Sequence, residues 1–195
     1  MQEQVMLQPS QSVKNNFYII RKQKPKERVA IFMDGCNFYF SLRRLRKTKI
    51  NLKNLINEIL KNRVLTRIFY YAPKLDPYFN KEHYALHKDL LRDVEKLGNI
   101  KIVLCFLKRF KDNKGKIHFQ VKGDDIHLAN DLLVGAYENS YDTAILITGD
   151  EDFIPVVKTL LKLNKKVENY YFRRSSSKRL RRACTFARNI YHLLE

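Results

Sequence analysis

From Arg28 onward the chain alternates two hydrophobic patterns: short runs of consecutive apolar residues, and longer stretches where apolar residues return every three or four positions. The runs are RVAIFMD, VLTRIFYYA, IKIVLCFLK, TAILIT and KVENYYF, and near-continuous apolarity of this kind predicts strands buried on both faces. The stretches between them have helical spacing. In NLKNLINEILKN, Leu52, Leu55, Ile56, Ile59 and Leu60 fall at i, i+3, i+4, i+7 and i+8 behind Asn51, a good N-cap. Leu86, Leu90, Val94 and Leu97 form a second stripe that stops at Gly98, a residue suited to a helix C-terminus. Further helices are expected in NFYFSLRRLRK, DDIHLANDLLVGAYENS and DFIPVVKTLLKLN. A last helix, SKRLRRACTFARNIYHLL, is expected to bury Leu180, Cys184, Ala187 and Tyr191. KRFKDNKGKIHFQVKG breaks the rhythm with turn residues from Asp112 to Gly115 and a polar-apolar alternation, which predicts a hairpin or an excursion.

Strands that alternate with helices place the chain in the α/β class, with a mainly parallel central sheet of about five strands and helices on both faces. In such sheets ligands bind beyond the carboxyl ends of the strands. At 195 residues there is room for one ordinary domain. Residues 1–27, rich in Gln, Ser, Asn and Lys, read as a flexible leader with a short extended piece at Phe17–Arg21, and residues 28–195 read as the domain.

Charge narrows the choice of partner. The chain carries 38 Lys and Arg against 20 Asp and Glu, a net charge of +18, which is the footprint of a polyanion binder, nucleic acid above all. A basic surface kept for solubility is the plainer reading of the same numbers. The basic runs are not set against a long apolar helix face, which argues against a membrane partner. Cys36, Cys105 and Cys184 are widely spaced and form no CxxC pair, so neither a disulfide framework nor a zinc ribbon is supported; a reducing, cytoplasmic setting fits. The longest apolar run near the N-terminus, FYII, is too short for a signal peptide or a membrane span.

Against this basic background, acids fall where a ligand is expected. The first strand ends in Asp34, and the fourth run is followed by Asp150 and Asp152; Asp125, after VKGD, reaches the same edge if its connection crosses there. Two carboxylates about 5 Å apart repel by about 3 kcal/mol at an effective dielectric near 20, so crowding them requires either protonation or a cation. Carboxylate oxygens without nearby His or Cys suit Mg²⁺ or Mn²⁺. Each acid also has an ordinary structural use: a turn for Asp150, helix capping for Asp124 or Asp125, and the helix dipole for Asp152. Glu151 is expected to face solvent.

The stretches FMDGCNFYFSL (Phe32–Leu42), KGDDIHLANDLL (Lys122–Leu133) and ILITGDEDFIPVVKTLLKLNKKV (Ile145–Val167), in this order, resemble the NYN domain, the LabA-like branch of the PIN-like nucleases. The resemblance runs from about Arg28 to the end and implies a Rossmann-like PIN fold with metal-dependent cleavage of RNA. It implies a metal role for Asp34, Asp125, Asp150 and Asp152. It also implies supporting roles for Asn37, for Asp131 as the later helix acid, and for Thr148 in place of the usual Ser. The sequence departs from the pattern at His127 and Asn130, where small or apolar residues are usual, and at Cys184, which stands at an Asp position in LRRACTF.

Cations cluster near the same strand ends: Arg43, Arg44 and Arg46; Lys108, Arg109 and Lys122; Arg173, Arg174, Lys178 and Arg179. They are expected to rim the acidic cleft and grip phosphates, although solvated faces explain such runs equally well. Tyr70, Tyr71, Tyr170 and Tyr171 are candidates for base stacking, with core packing expected for at least half. His83 and His87 have the spacing of a zinc pair but no third ligand, and no histidine pair for metal-free RNA cleavage stands out. The combined expectation is an endoribonuclease using Mg²⁺ or Mn²⁺. The competing readings are an RNA-binding module that does not cut and a DNA or flap nuclease. A homo-oligomer is left open.

Overall fold

The computed structural model describes residues 25–46, 50–74 and 81–194, the side chains of 81–83 excepted. Residues 1–24, with the extended piece expected in the leader, lie outside the described residues. The strands are β1 (Arg28–Asp34), β2 (Val64–Pro73), β3 (Ile100–Lys111), β4 (Ile117–Lys122), β5 (Thr143–Ile147), β6 (Lys166–Tyr171) and β7 (Phe186–Asn189). They form one sheet in the order β4-β3-β2-β1-β5-β6-β7, parallel throughout except between β3 and β4. The helices are α1 (Gly35–Arg44), α2 (Leu52–Leu60), α3 (Lys81–Glu95), α4 (Asp124–Tyr137), α5 (Ile154–Lys162) and α6 (Lys178–Ala183).

Alternation along β1 divides the core into two layers. Val29, Ile31 and Met33 pack with Phe38 of α1, Leu55 and Ile59 of α2 and Val94 of α3. Ala30 and Phe32 pack with Leu128 of α4, Val157 of α5 and Leu180 of α6. Each fully buried Leu, Ile or Phe removes enough apolar area to contribute about 1.5–3 kcal/mol, so the central strands are anchored from both sides. Asp34 continues the parity of Ala30 and Phe32, which directs it toward the α4 side at the carboxyl end.

Three departures from the sequence reading have physical causes. The sheet has seven strands, not about five. One addition is β4, the return arm of the expected hairpin. The other is β7, which replaces the second half of the expected last helix. There Cys184 turns extended, and Thr185 bonds both to the Val167 carbonyl at 2.8 Å and, through its hydroxyl, from the Val167 N–H at 3.0 Å. Satisfying the open edge of β6 outweighs the helical stripe, and Tyr191, expected to be buried, is 38% exposed.

The third departure concerns β3, where only Cys105 is buried while Leu104 and Phe106 are 55% and 70% exposed. The half from Ile100 to Cys105 pairs with β2; the half from Phe106 to Lys111 pairs with β4 alone. The hairpin therefore projects past the carboxyl end of β2. Among the described residues no helix is long and apolar enough to cross a membrane.

Candidate metal and nucleic-acid site

Parallel pairing brings the carboxyl ends of β1 and β5 together, with Met33 opposite Ile147, so Asp34 and Thr148 meet one step later. Asp34 is 8% exposed and caps α1. Its Oδ1 accepts from the Asn37 backbone N–H at 2.9 Å and its Oδ2 from the Thr148 hydroxyl at 2.7 Å. Thr148, for which a supporting role is expected, donates to Asp34 through its hydroxyl, while Asn37 bonds Asp34 through its main chain. The Thr148 Oγ1 also accepts from the Asp150 N–H at 3.2 Å, and Asp150 Oδ1 accepts from the Asp152 N–H at 2.9 Å. Beneath this loop the buried Asn169 of β6 donates to the carbonyls of Leu146 and Thr148 at 3.1 and 2.9 Å.

Two close approaches explain the glycines of the acidic motifs. A Cβ on Gly35 would lie 2.3 Å from the Tyr71 carbonyl oxygen of β2, and one on Gly149 would land on the Ser175 backbone. Only a residue without a side chain lets Asp34 and Asp150 sit beside these neighbours.

The projecting hairpin delivers the remaining acids. After β4 the chain turns back at Lys122 and Gly123 into α4, whose first turn carries Asp124 and Asp125. Burial raises the Asp34 carboxyl above its ordinary range; its two hydrogen bonds oppose the rise, and the charges of Asp124 and Asp150 add to it. Partial desolvation, then the charges of Asp124, Asp34, Asp150 and Asp152, push Asp125 up to about 6. Asp150 therefore bears on both Asp34 and Asp125, and Asp125 also feels Asp34 and Asp152. Asp124, which shares with Asp125 the plainer expectation of helix capping, joins them and accepts a hydrogen bond from the Cys36 thiol.

Other residues fall elsewhere. Asp131 lies further along α4, where its carboxylate accepts from the Tyr71 hydroxyl at 2.9 Å and from Lys101 at 3.1 Å. Glu151 does not simply face solvent: it accepts from the Ser177 hydroxyl at 2.6 Å and from Arg179 at 3.2 Å, tying the start of α6 to the acidic loop. Cys184 packs beside the α5–α6 core, and burial pushes its thiol up to about 12. Among the described residues no three His, Cys, Asp or Glu side chains are close enough to hold an ion as they stand.

The raised Asp125 carboxyl has a measurable cost. Because the folded protein retains the Asp125 proton up to about pH 6, whereas the unfolded chain releases it near 3.8, stability falls as pH rises through that window. Asp125 is exposed, so water screens the effect to about 1 kcal/mol, or roughly 3 °C in melting temperature for a chain of this size. In EDTA, Asp125→Asn is expected to melt about 3 °C above wild type at pH 7 and level with it near pH 4. Thermal melts across that range check it.

The NYN domain sequence profile matches residues 28–191. The chain belongs to the NYN domain family. NYN domains have a nuclease-like fold within the general PIN-like class. A crystal structure of a protein of unknown function from Vibrio parahaemolyticus shares the fold, with a TM-score of 0.68 at 23% identity over 87% of this chain and 96% of that one. A second crystal structure, from Parabacteroides merdae, overlaps at a TM-score of 0.31 and 12% identity over 74% of this chain and 25% of that one, too little to bear on the fold. No curated protein matches the chain.

In this NYN domain the cations form separate groups. Arg44, Arg46, Arg173 and Arg174, with His192, line a cavity of about 450 Å³ between the end of α1 and the segment after β6. Ser41 and Ser175 join its two walls through their hydroxyls at 2.5 Å. His192 joins it because the end of the chain forms a short 3-10 turn, Tyr191–Leu193, in place of the long α-helix that its apolar spacing predicts. Arg43 is exposed in the last turn of α1 but does not line this cavity. Lys108 and Arg109 stand on the projecting hairpin, and Lys122 ends it beside α4. Lys178 and Arg179 open α6 next to the acidic loop. Tyr70, Tyr71 and Tyr170 are core residues, whereas Tyr171 carries Arg181 over its ring at 4.7 Å. The His83 side chain lies outside the described residues; His87 is buried against Tyr39. His118 pairs with Asp112 at 2.7 Å on the hairpin.

Proposed function

We propose that this NYN domain is an endoribonuclease that hydrolyses RNA phosphodiesters with Mg²⁺ or Mn²⁺ held by Asp34, Asp125, Asp150 and Asp152. The observation that carries the reading is the gathering of carboxylates from three segments: burial raises Asp34 and partial desolvation lifts Asp125 to about 6, and the neighbouring carboxylate charges add to both. Such repulsion is relieved by a cation, and a donor set made only of carboxylates suits a hard divalent ion. A cation there supplies charge neutralisation at the phosphodiester and a more acidic water. Asp124 lies close enough in charge to join the set.

The chain's own groups divide the remaining work. Thr148 and the Asn37 N–H fix both oxygens of Asp34, so its orientation does not depend on the substrate. Asp131 acts as a positioning residue through Tyr71, whose strand neighbour in β1 is Asp34. Phosphates of the bound strand are held by Arg44, Arg173 and Arg174 on one side and by Lys108, Arg109 and Lys122 on the other, with Arg43, Lys178 and Arg179 adding to the basic field. RNA is preferred over DNA, residues 1–27 serve as a leader, and the domain works in the cytoplasm, as a monomer or a homo-oligomer.

The arginine-lined cavity supports a second reading, because it would grip phosphates without any cation and so serve a module that binds RNA but does not cut. Incubation with single-stranded and structured RNA, and with matched DNA, separates the two. RNA cleavage is expected in Mn²⁺ and none in EDTA. Undiminished cleavage in EDTA, or binding without cleavage at saturating Mn²⁺, rejects the nuclease mechanism; preferential cutting of DNA rejects the substrate.

A further inference from the structure

Beside the carboxylates lies a cavity of different character, about 320 Å³ in volume. Its apolar and aromatic walls include Phe40 from α1, Tyr84 and His87 from α3, and Leu107, Phe119 and Val121 from the β3–β4 hairpin. Gly35, Cys36 and Asp124 also line it, so it borders the acidic cluster at Asp124. Phe40 is 47% exposed, an apolar ring turned to water at the mouth. His87 is 8% exposed, yet its Nε2 has no hydrogen-bond partner among the described residues. A buried polar atom left without a partner is costly, and here it lies in the wall of a cavity.

The hairpin register adds the charge. Leu107 stands opposite Val121, Arg109 opposite Phe119 and Lys111 opposite Ile117, so the apolar wall continues outward along the same face into two cations. Aromatic rings interleaved with cations are what a single nucleic-acid strand requires: π-faces for a base and positive charge for its phosphates. With the chain at +18 and the cavity bordering a carboxylate cluster, an apolar peptide is the poorer match.

We infer that this cavity is a nucleobase subsite, in which one unstacked base of the RNA packs against Phe40, Tyr84 and Phe119 and meets His87 Nε2 with its polar edge. Its flanking phosphates then lie toward Arg109 and Lys111 on the hairpin and toward the acidic cluster at Asp124. The inference rests on the RNA reading above and deepens it, since it makes cleavage depend on a base next to the scissile bond.

The test uses a short labelled RNA and a series of the same RNA with one abasic position moved along it, in EDTA so that nothing is cut. Binding is read by fluorescence anisotropy for wild type, Phe40→Ala and Phe119→Ala, with thermal melts confirming that each variant is folded. One abasic position is expected to weaken wild-type binding roughly tenfold, the scale of one lost base stack. Each variant should lose about as much on intact RNA and be indifferent to that same abasic position, because the two changes remove one contact. If wild type is indifferent to every abasic position, or the variants keep its sensitivity, the subsite is wrong while RNA binding stands. If wild type binds none of the RNAs, the RNA reading fails and the subsite with it.

Discussion

Asp150→Asn is expected to lower Mn²⁺-dependent RNA cleavage by about 10³-fold or more while affinity for RNA in EDTA stays within about twofold of wild type. The substitution is chosen for what it leaves alone. The Asp150 oxygen that accepts from the Asp152 N–H at 2.9 Å is kept as an amide oxygen, so the turn before α5 retains its cap. What is lost is one negative charge from a set in which charge is the essential property. Removing it also relieves repulsion on Asp34 and Asp125, both of which feel Asp150, so the fold gains stability as activity is lost. RNA affinity survives because the cations that hold phosphates are on α1, the hairpin and the segment after β6. Single-turnover cleavage, anisotropy and a thermal melt on one preparation separate these effects; a variant that cuts like wild type removes Asp150 from the mechanism.

Arg63→Ala is expected to do the opposite, lowering the unfolding free energy by about 3–5 kcal/mol and the melting temperature by about 10 °C, with kcat/KM unchanged well below the melt. The Arg63 and Glu168 side chains are each only 16% exposed, and the guanidinium reaches both Glu168 oxygens, at 2.7 and 3.1 Å. It also donates to the carbonyls of Ile59 and Leu60 at 2.7 and 3.3 Å, closing the end of α2. Truncation leaves a largely buried carboxylate without its closest partner and strips those carbonyls of a donor. Because Arg63 precedes β2, it sits at the amino end of the strands, away from the acidic site. Urea unfolding gives the stability change, and cleavage at low temperature shows whether the two ends of the sheet are independent.

Much of this architecture was written in the hydrophobic pattern. Five apolar runs became β1, β2, β3, β5 and β6, and the stripe after Asn51 became α2 with that residue as its cap, accepting from the Asn54 N–H at 3.0 Å. Local pattern failed where a long-range pairing decided the outcome. The stripe from Leu180 to Tyr191 is a sound helical signal, but the edge of β6 takes up its second half as β7. The apolar run of β3 looked buried because composition does not reveal that half of it leaves the sheet.

The site followed the same division. The nearness of Asp34 to Asp150 and Asp152 could be anticipated because the carboxyl ends of parallel strands are a place that sequence can locate, and that of Asp125 only on the condition that its connection crosses there, which the antiparallel β4 meets. That of Asp124 could not, since two adjacent acids in a first helical turn do not reveal which way each faces until the helix is docked. Asn169, which fixes the loop bearing Asp150, looked like an ordinary polar residue in a strand; its burial beneath Thr148 depends on β6 lying beside β5. The arginine cavity joins residues of α1 to residues after β6, far apart in the chain, and the aromatic cavity draws on α1, α3 and the hairpin together.

The central claim is that the carboxylates at the strand ends hold a divalent cation. Anomalous diffraction from crystals equilibrated with Mn²⁺ tests it most directly. The account predicts an anomalous peak in contact with the carboxylates of Asp34 and Asp150, absent from crystals of Asp150→Asn. Fully occupied Mn²⁺ sites elsewhere, with none at these strand ends while the same protein cuts RNA, would contradict it.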